Sequence, residues 1–371
     1  MKKVILLGLV LAMIVSAFAG CGNNNATESP AASATESPSA TVSESAAPSE
    51  SAAATGAVLT GLGSDISLAK SASVSADAEA LAEIDTAMAA VTLDKDGKII
   101  NVKIDMVQPM VNFDAQGQLK SDTAAEIKTK VELGNAYGMA KASGIGKEWY
   151  EQIAALEDWM VGKTIDQVMG MKMSEEGTPA EADLTSSVTV HVSSYLAAVQ
   201  KAVANAKDFG AAVSGATKTG IGNVTSIKKS AGATADADAL AQADIIMAAV
   251  TVDQDNKIVG VMIDNGQVKV NFDAKGTLIT DAASKPKTKV ELGDEYGMKK
   301  ASSIGKEWYE QIAALGQWMI GKTIDEVKAM KTAPKDEEHP SVPAEADLTS
   351  SVTISVQDYI AAVEKAIANA D

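Results

Sequence analysis

Short runs of β-branched and apolar residues, separated by polar turn residues, occupy the first half of two similar stretches of the chain. Met88 to Asp94 and Ile99 to Asp105 are two such runs, and Asp94-Lys-Asp-Gly-Lys98 lies between them. This pattern predicts a β-hairpin. A matching hairpin is expected from Ala248 to Asp264, and a further short strand from Val111 to Phe113.

The hydrophobic pattern changes to a helical period in the second half of each stretch. Between residues 147 and 160 the apolar side chains recur at the spacing that puts them on one stripe of a helix, namely Trp149, Ile153, Leu156 and Met160. Gly162 ends this helix, and Thr164 is placed to cap a short helix after it. A final helix is expected near residues 193–204, and its counterpart near residues 356–368.

The two stretches are copies of one unit. Ile145 to Leu156 recurs without change as Ile304 to Leu315, and Pro179 to Thr189 recurs as Pro343 to Thr353. This period is far longer than that of solenoid repeats, so each copy is expected to hold a complete core and fold as a domain. The predicted class is α+β, with two tandem copies of a small domain in which antiparallel strands and hairpins precede C-terminal helices. Repeat domain 1 covers residues 55–206, a linker residues 207–219, and repeat domain 2 residues 220–371.

The N-terminal segment has the pattern of an export signal. Lys2 and Lys3 precede an apolar run from Val4 to Phe18 that is short for a membrane span, which is typical of a secretory signal. Phe18-Ala-Gly-Cys21 resembles a lipobox, in which the cysteine sulfur is lipidated and the chain is cut before it. Cys21 is the only cysteine in the chain. We therefore expect residues 1–20 to be a lipoprotein signal peptide and Cys21 to anchor the protein at the outer face of the cell membrane; the alternative is an ordinary signal peptide with an incidental cysteine.

The amino-acid composition and net charge limit the kinds of partner that the protein can bind. Residues 22–54 contain no Lys, Arg or aromatic residue and are rich in Ala, Ser, Thr, Glu and Pro, so the segment 21–54 is predicted to be a disordered tether. The formal net charge of the chain is −17. Nucleic acid is therefore excluded as a partner, since its phosphates require Lys and Arg.

The histidines exclude one class of chemistry. His191 lies opposite Ser355 of the other copy, and His339 lies in a loop that only the second copy has. A histidine acid, base or metal ligand common to both copies is thereby excluded. No catalytic residue and no metal site is predicted, so a non-catalytic function is favoured over that of a catalyst.

Two heptads remain as the candidate site, one before the final helix of each copy: Asp183-Leu-Thr-Ser-Ser-Val-Thr189 and Asp347-Leu-Thr-Ser-Ser-Val-Thr353. Hydroxyl groups and backbone N–H groups at a helix start can bind a phosphate, or can serve only as a Ser/Thr-rich helix cap. The nearby pairs Trp149-Tyr150 and Trp308-Tyr309 offer rings that either stack on a planar ligand or anchor the helix in the core.

With these heptads and the Asp96-Gly-Lys-Ile99 turn, the chain resembles the FMN-binding-domain lipoproteins of bacteria. That family carries Asp-x-x-Ser/Thr-Gly-Ala-Thr/Ser before a helix, and a separate flavin transferase attaches FMN to the last hydroxyl through a phosphoester. The resemblance implies six cofactor-binding positions: Asp183, Ser186, Thr189, Asp347, Ser350 and Thr353. The family's Gly-Ala pair is replaced here by Ser187-Val188 and by Ser351-Val352.

Two functions follow from this resemblance. The first is a surface electron carrier with FMN on each copy, bound covalently or non-covalently, with a flavin transferase and redox proteins as partners. The second is a flavin-free surface module without cofactor that binds a partner, a wall component or a small solute.

Overall fold

Each copy builds a main antiparallel sheet and a small two-stranded ladder. In the first copy, β1 (Leu59–Ser67) pairs with β3 (Asp85–Leu93), and β3 pairs with β4 (Ile99–Val107). Two short strands, β2 (Ala80–Glu83) and β5 (Met110–Phe113), extend β3 and β4 as a separate ladder. The computed structural model describes residues 58–337 and 339–371. The predicted signal peptide, the predicted lipid attachment site Cys21 and the predicted tether lie outside these residues.

The second copy repeats this order with longer strands. After β6 (Lys207–Asp208), which pairs with β1, come β7 (Lys218–Ser226), β8 (Ala239–Val252) and β9 (Ile258–Phe272). Each of β8 and β9 is one continuous strand where the first copy has two. A small hairpin, β10 (Thr332–Ala333) with β11 (Val342–Pro343), flanks the extra loop of this copy.

The helices follow the strands in both copies, so the predicted α+β class is confirmed. Their bounds are α1 (Lys130–Leu133), α2 (Trp149–Met160), α3 (Ile165–Met169), α4 (Ser193–Asn205), α5 (Lys289–Leu292), α6 (Trp308–Met319), α7 (Ile324–Lys328) and α8 (Gln357–Ala368). Among the residues that the structure describes, no helix is long and apolar enough to cross a membrane.

The predicted hairpin turn forms because Asp94 organises it. Its Oδ1 accepts the backbone N–H groups of Asp96 and Lys98, both at 2.9 Å. Gly97 takes a φ of 75°, a left-handed conformation that glycine adopts without a steric penalty. The turn therefore joins β3 to β4 as the sequence indicates.

Both faces of each sheet are buried. On β3, Ala87, Ala89 and Val91 lie under the helices of their own copy, whereas Met88 and Ala90 lie against the other copy, as the two-residue period of a strand requires. The strands β7, β8 and β9 lie against β1, β3 and β4. The molecule is thus a four-layer arrangement of helices, sheet, sheet and helices.

Four buried threonines lie at the centre of the contact between the sheets. The Thr92 hydroxyl is 2.7 Å from that of Thr251 and 2.6 Å from that of Thr219, and the Thr60 hydroxyl is 2.7 Å from that of Thr251. All four residues are fully buried. Each of the four strands contributes one hydroxyl group, and these groups form hydrogen bonds with one another. Their burial therefore costs little free energy.

Glycine lets the final helix of each copy approach its sheet closely. A Cβ atom on Gly61 would lie 2.0 Å from the Ala202 carbonyl oxygen, and one on Gly63 would lie 2.3 Å from that of Ala198. Gly220 and Gly222 stand in the same relation to α8. Any larger residue at these positions would push the helix off the sheet.

Polar contacts between the copies occur in pairs. Lys201 of α4 binds Glu291 of α5 at 2.6 Å, and its counterpart Lys365 of α8 binds Glu132 of α1 at 2.6 Å. The Val74 N–H donates to the Gly276 carbonyl, and the Ala233 N–H to the Gly117 carbonyl. This reciprocity is that of a two-fold, isologous interface.

The two copies share part of their core. Each copy has its own cluster beneath its helices, but a third cluster takes side chains from both, including Leu62, Met88, Ile221 and Met247. Both copies also belong to one compact unit. The expectation of a complete core in each copy is therefore wrong in this respect, because the apolar inner face of each sheet is covered only by the other copy.

This packing predicts how the separated copies behave. Residues 58–210 and residues 216–371, expressed alone, should not give folded monomers, since each would expose the apolar face of its sheet. Mixed together, they should form a 1:1 complex with a melting temperature near that of the intact chain. Analytical ultracentrifugation with thermal denaturation measures both properties. A monomeric half that unfolds cooperatively would contradict the expectation.

Candidate functional site

The heptads form a turn that leads to the final helix rather than the start of that helix. In the first copy the helix α4 begins at Ser193, its N-cap is Val192, and no side chain caps it. The second copy is the same, with Val356 at the N-cap of α8. The interpretation of the heptad as a Ser/Thr cap of this helix is therefore wrong, because Thr189 lies before the helical turn that it would cap.

The heptad side chains separate into an exposed and a buried set. Asp183, Ser186 and Thr189 are exposed, whereas Leu184 and Val188 are 2% and 1% exposed. The second copy shares this pattern, with Asp347 and Ser350 exposed, Thr353 half-buried, and Leu348 and Val352 buried. The valine at the family's alanine position is thus an anchor that packs the turn onto the core.

A buried glutamine holds the last threonine of each heptad. The Oε1 atom of Gln152 accepts the Thr189 backbone N–H at 2.8 Å and its hydroxyl at 3.2 Å. Gln311 holds Thr353 at the same two distances. Because the threonine hydroxyl donates its proton here, its oxygen lone pairs stay available. The sequence indicated these glutamines only in that they lie within the longest identical segment.

A depression lies beside the heptad of the second copy. Its volume is about 290 Å³, and its lining includes Trp318, Asp347 and Ser351. The Lys322 ammonium lies 4.2 Å from the centre of the Trp318 ring, and the Lys306 ammonium donates to the Ser351 hydroxyl at 3.3 Å. This surface offers an aromatic wall with two ammonium groups near the heptad.

These residues fit a flavin phosphoester at the surface. Attachment needs an accessible hydroxyl, which Thr189 and Thr353 supply, and the nearby lysine and indole groups suit a phosphate and a planar ring. The exposed Asp183 and Asp347 lie at the acidic position of the motif. The six positions of the motif that match the family therefore hold side chains of suitable chemistry, although none encloses a ring.

In each of the two repeated Trp-Tyr pairs, the tryptophan lies in the core and the tyrosine lies nearer the surface. Trp149 is 1% exposed and donates its indole N–H to the Tyr195 hydroxyl at 2.9 Å. Tyr150 is 37% exposed, and its hydroxyl donates to Asn135. The core interpretation is thus confirmed for Trp149, and the same holds for Trp308 with Tyr359.

Each copy also buries a lysine among aromatic rings. The Lys130 ammonium lies 4.7 Å from the centre of the Tyr137 ring and 5.3 Å from that of Trp149, and Lys289 repeats this arrangement. Burial lowers the pKa of both lysines to about 8. These two lysines were not predicted from the sequence, although Lys130 lies in the repeated segment Thr129-Lys-Val-Glu-Leu-Gly134.

Among the buried carboxyl groups, Asp105 and Asp264 lie near these lysines, and Glu157 lies on α2. Asp105 Oδ1 accepts backbone N–H groups of Met106 and Val131 at 2.7 and 3.1 Å, and Asp264 does the same in the second copy. Glu157 Oε1 accepts the Ile104 N–H at 2.6 Å. Burial raises the pKa of both aspartates to about 6 and that of Glu157 to about 7.

These shifts predict a stability that falls as the pH approaches neutrality from the acid side. A raised carboxyl pKa contributes stability that is complete below the unfolded pKa near 4 and is lost as the pH rises through 6 to 7. The free energy of unfolding should drop by about 1–4 kcal/mol between pH 5 and pH 7.5. Urea denaturation followed by circular dichroism measures it.

Glu157→Gln tests whether the Glu157 carboxyl group causes part of this pH dependence, because the amide keeps the shape of the neutral carboxyl group and does not ionise. It should flatten the part of the profile between pH 6 and 7.5, while Glu79→Gln at an exposed position should not. If the free energy of unfolding of the wild-type chain rises between pH 6 and 7.5, the buried carboxyl groups do not control stability in this range. The two lysines act in a separate window, since their lowered pKa adds stability only as the pH rises from 8 towards 10.5.

Similarity to a known protein covers part of the chain. No protein-family model matches the chain, and no solved structure matches it. A chlorophenol reductase of Desulfitobacterium hafniense is 34% identical over 90 residues, which are 21% of this chain and 28% of that protein. The chain thus spans little more than a quarter of the length of this relative, and the similarity does not assign it to a family.

Proposed function

We propose that this protein is a membrane-anchored extracytoplasmic lipoprotein that carries electrons at the cell surface, with one FMN on each copy. The observation that supports this most is the identical setting of Thr189 and Thr353. Each presents an accessible hydroxyl whose orientation is set by a buried glutamine. The lipid on Cys21 and the tether behind it keep both copies near the membrane.

The heptad side chains have different roles in the attachment of FMN. The Thr189 and Thr353 hydroxyl oxygens would form the phosphoester by displacing the leaving group of an activated flavin phosphate that a flavin transferase supplies, and the hydroxyl proton would pass to a base. Asp183 and Asp347 would hold a metal ion or orient the hydroxyl during transfer, and Ser186 and Ser350 would donate hydrogen bonds to the phosphate. Bound FMN would supply the electron-transfer chemistry between redox partners.

The partial relative supports a redox role by its name alone, since it is described as a reductase. The exposed position of both heptads supports the same role. An electron carrier has to bring its cofactor close to partner proteins, and a surface attachment point permits that.

A second function is favoured by one specific observation. Val188 and Val352 are 1% and 0% exposed, so they fill the place where the family's small residues leave room for a ligand. With the hydroxyl already bonded to glutamine, the heptad is satisfied without a cofactor. A flavin-free surface module that binds a partner, a wall component or a small solute is consistent with this.

Intact mass separates the two functions. The chain is produced in cells that contain a flavin transferase, and mass spectrometry should show the addition of two FMN phosphoesters. Thr189→Ala and Thr353→Ala should each remove one, because each deletes one acceptor oxygen. Thr185→Ala, at another exposed threonine of the first heptad, is the matched control and should keep both. An unmodified mass with a colourless protein would establish the flavin-free alternative.

The anchor is tested independently. Cys21→Ala should move the protein from the membrane fraction to the soluble fraction, because lipidation requires the cysteine sulfur. Ser16→Ala, within the apolar run of the signal, should leave it in the membrane fraction. Fractionation followed by immunoblotting gives the readout. Retention of the Cys21→Ala chain in the membrane would overturn the lipid assignment.

A further inference from the structure

A cavity of about 360 Å³ lies between the two copies, away from both heptads. Its walls come from β4 and α2 of the first copy and from the segment that ends α8 of the second. Much of the lining is apolar, with Ile153, Ala154 and Ile221 among its residues, and Tyr150 contributes an aromatic edge. Volume and lining are those of a small-molecule site, in which a few polar groups converge on a mostly apolar wall.

The polar part of the wall is an ion-pair network. The Lys103 ammonium lies 3.4 Å from Glu157 Oε2 and also contacts the Asp371 carboxylate. Glu157 is 8% exposed, and its other oxygen is bonded to the Ile104 N–H. The bond to Lys103 is long and is the only contact described for Oε2, so this oxygen can accept a second, better donor.

The second copy shows that the fold does not need this network. Lys103 corresponds to Met262, Glu157 to Gly316 and Asp371 to Lys207, yet α6 packs on β9 as α2 packs on β4. Burying a charged pair costs desolvation that its own attraction scarcely repays, and an apolar replacement is often as stable. The packing of helix on strand therefore does not require this network, which leaves Lys103 and Glu157 available for a further role.

Charge indicates which ligand the cavity suits. Three carboxyl groups, Asp105, Glu157 and Asp371, line it together with a single ammonium, that of Lys103. An anion would be repelled, whereas an organic cation would gain hydrogen bonds to Glu157 Oε2 and Asp371. Its hydrocarbon part would lie against Ile153 and Ile221 and lose contact with water.

We propose that this cavity binds a small organic amine, with its ammonium on Glu157 and Asp371 and its apolar body against the isoleucines. The site does not depend on flavin, because it shares no residue with the heptads. Binding joins β4 of one copy to the end of α8 of the other, so a ligand would strengthen the contact between the copies.

Benzylamine is a suitable probe, with benzyl alcohol and benzoate as neutral and anionic analogues of the same size. Isothermal titration with the mature chain at a pH above the raised pKa of Glu157, where its carboxyl group is ionised and benzylamine is still protonated, should show saturable binding of benzylamine, weaker binding of the alcohol and none of benzoate. Lys103→Met/Glu157→Gly, which copies the wall of the second copy, should weaken benzylamine binding by about tenfold or more. Asp158→Asn, at an exposed carboxylate on the same helix, should leave it unchanged.

Glu157→Gln provides a second variant that keeps the side-chain volume, in case the double variant does not fold. It should also weaken benzylamine binding, because an amide lacks the charge that attracts the ammonium. Absence of saturable binding, equal binding by Glu157→Gln, or tighter binding of benzoate than of benzylamine would each overturn the proposal.

Discussion

The burial of two apolar sheet faces against each other is the constraint on which the rest of this structure depends. A sheet covered by helices on one side only would leave Leu62, Met88 and their neighbours in water, and within residues 58–337 and 339–371 neither copy has a further element of its own to cover them. Joining the copies solves this problem for both at once. The threonine hydroxyls at the centre then need partners, and each finds them in the other copy. The shared part of the core and the cavity between the copies both follow from that one contact.

The sequence predicted what is local and missed what depends on the partner copy. The hairpin at Asp94 and the helix at Trp149 were predicted because turn chemistry and apolar spacing act within a few residues. The strand β1 was not predicted, since Gly61 and Gly63 lower its strand propensity. Those glycines are required by a distant element, the helix α4, which touches the strand there. The apolar run in β3 has no polar alternation, which is the pattern of a strand buried on both faces, but the pattern does not show that the second face is covered by the other copy.

The repeated segments located the candidate site, but they did not predict its geometry. Identity between the copies pointed to the heptads, and the structure places their polar side chains at the surface in both. It also shows that Val188 is an anchor, so the residue that departs from the resembled motif has a packing role. The partner of Thr189 is Gln152, which lies on another helix. The buried lysines were missed because a lysine in sequence is normally read as a solvated residue, and only the surrounding rings show otherwise.

The reciprocal contacts between the copies are those of a two-fold dimer built into one chain. In a dimer of identical subunits every substitution occurs twice, so a change that suits one side of the axis is imposed on the other as well. Fusion removes that coupling. Here one half has Lys103 and Glu157 where the other has Met262 and Gly316, a difference that no homodimer could hold. Duplication within a single chain has therefore given this fold freedom to specialise one half while the other preserves the packing.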